Sequence, residues 1–349
     1  MKLALTYDDI QLVPSYSKIN SRKMISLKTQ LSKNYELVVP IVASPMDTVC
    51  ESEMAIALFE IGGVGCIHRF MSIPEQSSKV MKLIDGVKSS INSKLWIDNG
   101  ITKFPFMASV GANGDFLERA SSLVKAGANV ILIDVAHGHH ENVKNAISEL
   151  KKTLPPRVDI IAGNIATAKA AEDLVSWGAD GLRVGVGGGS LCTTRIKTGF
   201  GVPNVTCLEE IVRVAQGVPV MADGGIRTSG DIAKALALGA YNVMLGSLIA
   251  GTKEAPGQII EKPGGLFKRY RGAASLETKT MHGQEQRNVE GESTVIPFKG
   301  GVKFIIDGLL DGVKSALSYN GAMSLETFCP EIVQVTNAGL SEARPHLIY

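Results

Sequence analysis

The sequence predicts a (β/α)₈ TIM barrel, because eight short apolar runs recur along the chain and amphipathic helical patterns alternate with them. The runs are nearly continuous in apolar character, which is typical of parallel strands covered on both faces. They lie at residues 39–44, 63–68, 106–111, 129–135, 159–164, 181–186, 219–224 and 242–247. A doubly wound open sheet is the alternative, and eight regular units favour closure over it.

Apolar residues at helical spacing predict helices between these runs. Residues 115–126 and 140–154 each place apolar side chains at the spacing of one helix face. The next strand then follows a glycine directly, as at Gly127, Gly178 and Gly239, and a glycine there is typical of a helix C-terminus. We therefore expect βα units in regular succession.

Two connections are longer than the others. One runs over about 69–104, between the second and third strands, and the other over about 250–302, after the eighth. Connections of this length are usually functional. We expect the second to be a long flap insertion on a single barrel domain, residues 1–349.

Composition excludes several classes of protein. The 349 residues are 45% hydrophobic and 20% charged, and the net charge of +2 argues against a nucleic-acid or membrane partner recruited by charge. The longest apolar runs are far shorter than the ~20 residues of a membrane span, and early acids in the N-terminal segment argue against a signal peptide. Five widely separated cysteines indicate free thiols in a reducing compartment, so we expect a cytoplasmic protein.

The most informative segment follows the sixth run, at 184–203. Its glycines allow a sharply turning backbone with exposed polar groups, and Cys192 comes next on the loop. Because Thr193, Thr194 and Arg195 follow, Cys192 is a candidate nucleophile rather than a buried structural cysteine.

The loops after the seventh and eighth runs predict a phosphate site. Asp223 ends the seventh run, Gly224 and Gly225 open its loop, and Gly246 and Ser247 follow the eighth. Paired glycine loops at this end of a barrel are a common phosphate site. A flavin-dependent barrel oxidoreductase would also fit these loops, but it needs no Cys-Thr-Thr segment.

Three histidines follow the fourth run. His137, His139 and His140 lie close to Asp134 in the sequence, a composition that suits zinc or a hydrolytic metal pair. No histidine lies at the end of the fifth, sixth or eighth run, so a polar loop shaping a ligand pocket is the favoured interpretation.

Taken together, these segments resemble the IMP dehydrogenase/GMP reductase family. The similar stretches occur in order along essentially the whole chain, at 5–14, 43–49, 62–76, 133–143, 161–167, 184–195, 222–236, 243–252 and 270–275. The resemblance implies a barrel enzyme, usually a homotetramer, acting on a purine nucleotide (GMP or IMP) with a nicotinamide cofactor and potassium. It also implies that Cys192 attacks the purine C2 while Thr194 and Glu290 relay a proton to the departing amine.

The resemblance further implies three sets of binding residues. Substrate contacts would come from Ser44, Ser190, Asp223, Gly224, Gly225, Gly246, Ser247, Tyr270, Gly272, Ala273, Arg287 and Gly291. Cofactor contacts would come from Ser21, Arg22, Arg69, Asp134, Val135, Ala136, Asn164, Val186 and Gly187. The monovalent-cation site would involve Gly187, Gly189, Cys192 and Arg195.

Within the family, the flap favours a reductase using NADPH. The dehydrogenases carry an Arg-Tyr pair on a long flap to activate water, but only thirteen residues separate Ser275 from Val289 here, with no such pair. The interval between the second and third strands is also too short for the regulatory modules that dehydrogenases usually insert. An IMP dehydrogenase lacking those modules, which converts IMP and NAD to XMP, is the alternative, favoured by the tail at 338–346.

Overall fold

The computed structural model describes residues 1–88, 93–281 and 289–342, and its centre is a closed barrel of eight parallel strands. The barrel strands are β1 Ile41–Ala43, β2 Val64–Ile67, β3 Met107–Val110, β4 Val130–Asp134, β5 Asp159–Ile165, β6 Gly181–Val184, β7 Val220–Asp223 and β8 Asn242–Leu245. Each strand pairs with the next, and β8 closes on β1 with Val243 opposite Ile41. All eight predicted strands and the barrel fold are confirmed.

Helices cover the outside of the barrel. They are α1 Ser52–Ile61, α2 Ile73–Lys88, α3 Ser93–Asp98, α4 Phe116–Lys125, α5 Glu141–Thr153, α6 Ala168–Ser176, α7 Thr194–Thr198, α8 Asn204–Val212, α9 Ser229–Ala237, α10 Leu276–Met281, α11 Val302–Asn320 and α12 Asn337–Glu342. Short 3₁₀ helices lie at Tyr7–Asp9, Arg22–Met24 and Leu325–Thr327. The predicted apolar stripes of α4 and α5 face inward, and Leu123 and Leu150 are fully buried.

The N-terminal end of the barrel is closed by a hairpin of the strands Thr29–Ser32 and Tyr35–Leu37. The Ser32 hydroxyl donates to Asp159 Oδ2 at 2.6 Å, and the Asn34 side chain donates to Oδ1 at 2.7 Å. Asp159 begins β5, so the hairpin is fixed to the start of a barrel strand. The opposite end of the barrel, at the C-terminal ends of the strands, is where barrels of this type bind their ligands.

The predicted flap contains a sheet of its own. The strands Ile260–Lys262, Gly265–Arg271 and Ser293–Pro297 form an antiparallel sheet, and α10 lies between the second and third of them. The connection between β2 and β3 is occupied by α2 and α3. A further pair, Ile10–Leu12 with Ile332–Gln334, joins the two ends of the described chain. Within the described residues, no helix combines the length and apolar character needed to cross a membrane.

Candidate active site

A cavity of about 570 Å³ opens at the C-terminal ends of the barrel strands. Its volume suits a nucleotide-sized ligand. Most of the residues predicted from the sequence line it together: Ser44, Arg69, Asp134, Val135, Ala136, Asn164, Val186, Gly187, Gly189, Ser190, Cys192, Thr194, Asp223, Gly224, Gly225, Gly246, Ser247, Tyr270, Gly272, Ala273, Glu290 and Gly291. The fold therefore brings these dispersed segments to one place.

Close backbone packing holds the cysteine loop against the loop after β7. Gly224 has φ +87°, and a Cβ atom there would lie 2.9 Å from the carbonyl carbon of Gly188. The Asn204 amide, at the start of α8, donates to the carbonyl oxygen of Gly224. Only glycine combines this left-handed conformation with such a close approach. The two glycine-rich segments thus form one surface.

The Cys192 thiol begins a short chain of hydrogen bonds. Its Sγ donates to Thr194 Oγ1 at 3.1 Å, and Thr194 Oγ1 donates to Glu290 Oε2 at 2.6 Å. The three side chains belong to two separate parts of the sequence, because Glu290 comes from the flap. The arrangement joins a nucleophile to a carboxylate through one hydroxyl group, which is the geometry needed to move a proton between them.

Main-chain bonds hold Glu290 in this position. The Thr193 amide donates to the Glu290 carbonyl at 3.0 Å, and the Glu290 amide donates to the carbonyl of Ala274 at 3.1 Å. Gly291 forms β-bridges with Cys192 and with Ser275. The flap is therefore paired to the cysteine loop as a short piece of β-structure, independently of the Glu290 side chain.

Hydroxyl groups form a second cluster in the cavity lining. The Ser190 and Tyr270 hydroxyls lie 3.0 Å apart, and Tyr270 is buried. Burial raises the pKa of Tyr270, so its hydroxyl keeps its proton and can donate. With Ser247 and the glycine amides, these groups provide the donors that a phosphate group requires.

Two carboxylates at strand ends also line the cavity. Asp223 Oδ2 accepts from Asn164 Nδ2 at 2.7 Å and from Arg183 Nε at 2.9 Å. Asp134 Oδ1 accepts from Arg183 Nη1 at 2.5 Å, and Arg69 Nε lies 3.7 Å from Asp134 Oδ2. These carboxylates are suited to accept from ribose hydroxyl groups.

Three of the four residues predicted for the cation site lie together. Gly187, Gly189 and Cys192 all line the cavity, and their carbonyls are the kind of ligand that a monovalent cation takes. The Arg195 guanidinium instead donates to the carbonyl of Val202 at 2.8 Å. A guanidinium accepts nothing, so Arg195 could contribute only its carbonyl, which already accepts from the Gly199 amide at 3.1 Å. The potassium site stays a prediction.

Besides Arg195, which does not line the cavity, three predicted site residues lie apart from it or outside the described residues. Ser21 caps the 3₁₀ helix Arg22–Met24, and neither Ser21 nor Arg22 lines the cavity. Arg287 lies outside the described residues. Their roles stay predictions.

Two of the three histidines after β4 have separate structural roles. His139 Nε2 lies 2.9 Å from Asp173 Oδ2, and His140 caps α5 by accepting from the Asn142 amide. Within residues 1–88, 93–281 and 289–342, no cluster of three or more His, Cys, Asp and Glu residues is arranged to hold a metal ion.

Sequence reasoning missed a buried charged residue of the site. Arg183 lies in the middle of β6, is 7% exposed and bonds to both Asp134 and Asp223. The available signal was an arginine inside an otherwise apolar run, because such a charge is buried only when it is paired. Met46, Phe70 and Arg227 also line the cavity without having been predicted.

Comparison with known proteins places the chain in a family. A family model described as "IMP dehydrogenase / GMP reductase domain" matches residues 4–346. Inosine-5'-monophosphate dehydrogenase of Nitrosopumilus maritimus is 35% identical, covering 99% of this chain and 98% of its own, and GMP reductase of Leishmania major is 32% identical, covering 98% and 96%.

A solved structure agrees with this assignment. GMP reductase of Trypanosoma brucei, a cysteine-to-alanine variant in complex with guanosine 5'-monophosphate, superposes with a TM-score of 0.89 at 33% identity. It covers 100% of this chain and 99% of its own. The chain therefore belongs to the IMP dehydrogenase/GMP reductase family, oxidoreductases of purine metabolism that use a nicotinamide cofactor.

Proposed function

We propose that this protein is a GMP reductase that converts GMP, NADPH and two protons to IMP, ammonium and NADP⁺. The observation that carries the proposal is the hydrogen-bond chain from Cys192 through Thr194 to Glu290. Release of an amine needs a proton donor beside the nucleophile, and this chain supplies one without a water molecule. GMP bound in the Trypanosoma brucei enzyme supports the choice of ligand.

The residues would act in sequence. The Cys192 proton passes through Thr194 to the Glu290 carboxylate, and the Cys192 sulfur bonds to C2 of the purine. Glu290 then returns the proton through Thr194 to the amine, which leaves C2 as ammonia and takes up a further proton from solvent. When bound, the nicotinamide supplies a hydride to C2. The bond between Cys192 and C2 then breaks, IMP is released, and the Cys192 thiolate takes up the second proton from solvent.

The binding groups divide between the two ligands. Ser190, Ser247 and Tyr270 would hold the phosphate of GMP, and Asp223 its ribose. Asp134 would accept from the nicotinamide ribose. Arg69 fits an anionic or hydroxyl-bearing cofactor, because its Nε is buried without a hydrogen-bond partner among the described residues. Use of NADPH, a potassium ion, a homotetramer and a cytoplasmic location form part of the same proposal.

The competing function is that of an IMP dehydrogenase, and the identity to the Nitrosopumilus maritimus enzyme favours it. A dehydrogenase must hydrolyse the cysteine adduct. Arg269 and Tyr270, which are adjacent in the flap, are engaged otherwise: Arg269 bonds to Glu277 at 3.1 Å, and Tyr270 bonds to Ser190. This supports the reductase, because neither side chain is available to activate water.

Two incubations distinguish the functions. Purified protein is given GMP with NADPH, and separately IMP with NAD, while the reduced-nicotinamide absorbance is followed and nucleotides are separated by chromatography. We expect NADPH oxidation with formation of IMP and ammonia, and little or no XMP. Sustained XMP formation would overturn the proposal.

A further inference from the structure

Arg183 bonds to both carboxylates of the site, Asp134 and Asp223. It lies in β6, while Asp134 ends β4 and Asp223 ends β7. Its Nη1 lies 2.5 Å from Asp134 Oδ1 and its Nε lies 2.9 Å from Asp223 Oδ2. One planar side chain therefore spans the space between strand ends that are not neighbours in the barrel.

The pairing is strongly constrained by burial. The side chain of Arg183 is 8% exposed, and those of Asp134 and Asp223 are 13% and 19% exposed. Burial opposes the charge of Arg183, but the carboxylates of Asp223 and Asp134 outweigh it and raise the pKa of the guanidinium. Without the guanidinium, two carboxylates would face each other in a poorly solvated site. Their relative position therefore depends on Arg183.

The remaining contacts leave room for ligands. The Asn164 amide also donates to Asp223 Oδ2, so both donors use the same oxygen. In the part of the chain that the structure describes, no hydrogen bond uses Asp223 Oδ1, which can therefore accept from a ribose hydroxyl. A ligand that binds to one carboxylate thus acts on a side chain that also bonds to the other carboxylate.

We propose that Arg183 is a positioning residue that sets the distance between the GMP ribose and the nicotinamide ribose and couples the binding of the two ligands. This inference rests on the proposed function, which assigns Asp223 to GMP and Asp134 to the cofactor. Lysine cannot replace arginine here, because a single ammonium group lacks the rigid planar set of donors that reaches both carboxylates. Coupling of this kind changes an affinity by about 5-fold or more.

The test uses GMP with NADP⁺, a pair that cannot complete turnover because NADP⁺ carries no hydride to transfer. Calorimetry measures NADP⁺ affinity with and without saturating GMP. We expect GMP to change the affinity by about 5-fold or more in the wild type and by less than twofold in Arg183→Lys. With NADPH deuterated at the transferred hydrogen, Arg183→Lys should also show a larger isotope effect on kcat, because hydride transfer becomes slower.

The matched control is Arg119→Lys. Arg119 is equally buried, at 7% exposed, and bonds to Asp115 and Gln76 away from the cavity lining. This variant should lose stability and keep both the coupling and the isotope effect. A role of Arg183 in stability alone would leave the two variants alike, and that result would overturn the proposal.

Other outcomes are also decisive. If GMP does not change NADP⁺ affinity in the wild type, the proposal is wrong without any variant. If Arg183→Lys does not fold, Asp134→Ala removes the same connection from the other end, and unchanged coupling in that variant would refute the proposal. Wild-type turnover is measured in the same preparations: absence of IMP refutes the proposed function, whereas turnover with coupling intact in Arg183→Lys refutes only this inference.

Discussion

Replacing Glu290 with glutamine tests the proton relay directly. Glutamine preserves the size of the side chain and its carbonyl can still accept from Thr194 Oγ1, which lies 2.6 Å from the carboxylate in the wild type. The main-chain bonds from Thr193 to Glu290 and from Glu290 to Ala274 do not involve the side chain. The change therefore removes the proton carrier and keeps its position.

Because Glu290→Gln removes only the proton carrier, the expected loss of rate is that of losing a general acid. Losing a general acid typically costs ~10²–10⁴-fold in rate. A loss of ~10²-fold corresponds to about 2.7 kcal/mol of activation free energy. Because Glu290 serves both the thiol and the amine, we expect kcat to fall by ~10²-fold or more. GMP affinity should change little, since the phosphate and ribose contacts lie elsewhere.

The assay follows NADPH oxidation at saturating GMP and NADPH, and calorimetry gives GMP affinity. Glu292→Gln is the matched control, because Glu292 is an exposed flap residue two positions further on. It should retain turnover near the wild-type rate. If Glu290→Gln kept more than a tenth of the wild-type kcat, the relay through Thr194 would be the wrong mechanism.

The remaining predictions concern the nucleophile, the phosphate contacts and stability. Cys192→Ala should abolish turnover and leave GMP binding measurable by calorimetry, whereas Cys329→Ala, at an exposed thiol, should keep full activity; a tenth of wild-type turnover in Cys192→Ala would exclude covalent catalysis. Tyr270→Phe should raise KM for GMP about 2- to 10-fold with kcat little changed, because it removes one hydrogen bond worth about 0.5–1.5 kcal/mol; an unchanged KM would remove Tyr270 from the phosphate site. Burial raises the pKa of Glu51, but hydrogen bonds from His68 and Lys79 outweigh it and lower the pKa from 4.5 to about 2. Glu51→Gln should therefore lower Tm at pH 7, and thermal scans should find the difference shrinking as the pH falls from 4.5 towards about 2; a difference independent of pH would contradict this.

The extent of sequence prediction differs between the barrel and the flap. Each barrel strand is mostly apolar and is followed by a glycine or a polar loop, so both the strand and its ligand-facing end can be predicted from neighbouring residues. The flap strand Gly265–Arg271 pairs with Ser293–Pro297 across more than twenty residues, and its polar pattern gives no sign of its partner. Arg183 was missed for a related reason, because its partners Asp134 and Asp223 are distant in sequence and adjacent only once the barrel closes.

The flap's attachment through its main chain has a consequence for how this enzyme could evolve. Peptide groups are the same in every residue, so the hydrogen bonds that place position 290 tolerate changes of side chain at positions 289 and 292. Among positions 289, 290 and 292, selection therefore acts mainly on the Glu290 carboxylate. A library randomised at Val289 and Glu292 should yield many active sequences, whereas one randomised at Glu290 should yield almost none. Such a flap allows reaction chemistry to diverge by few substitutions while the barrel beneath it stays unchanged.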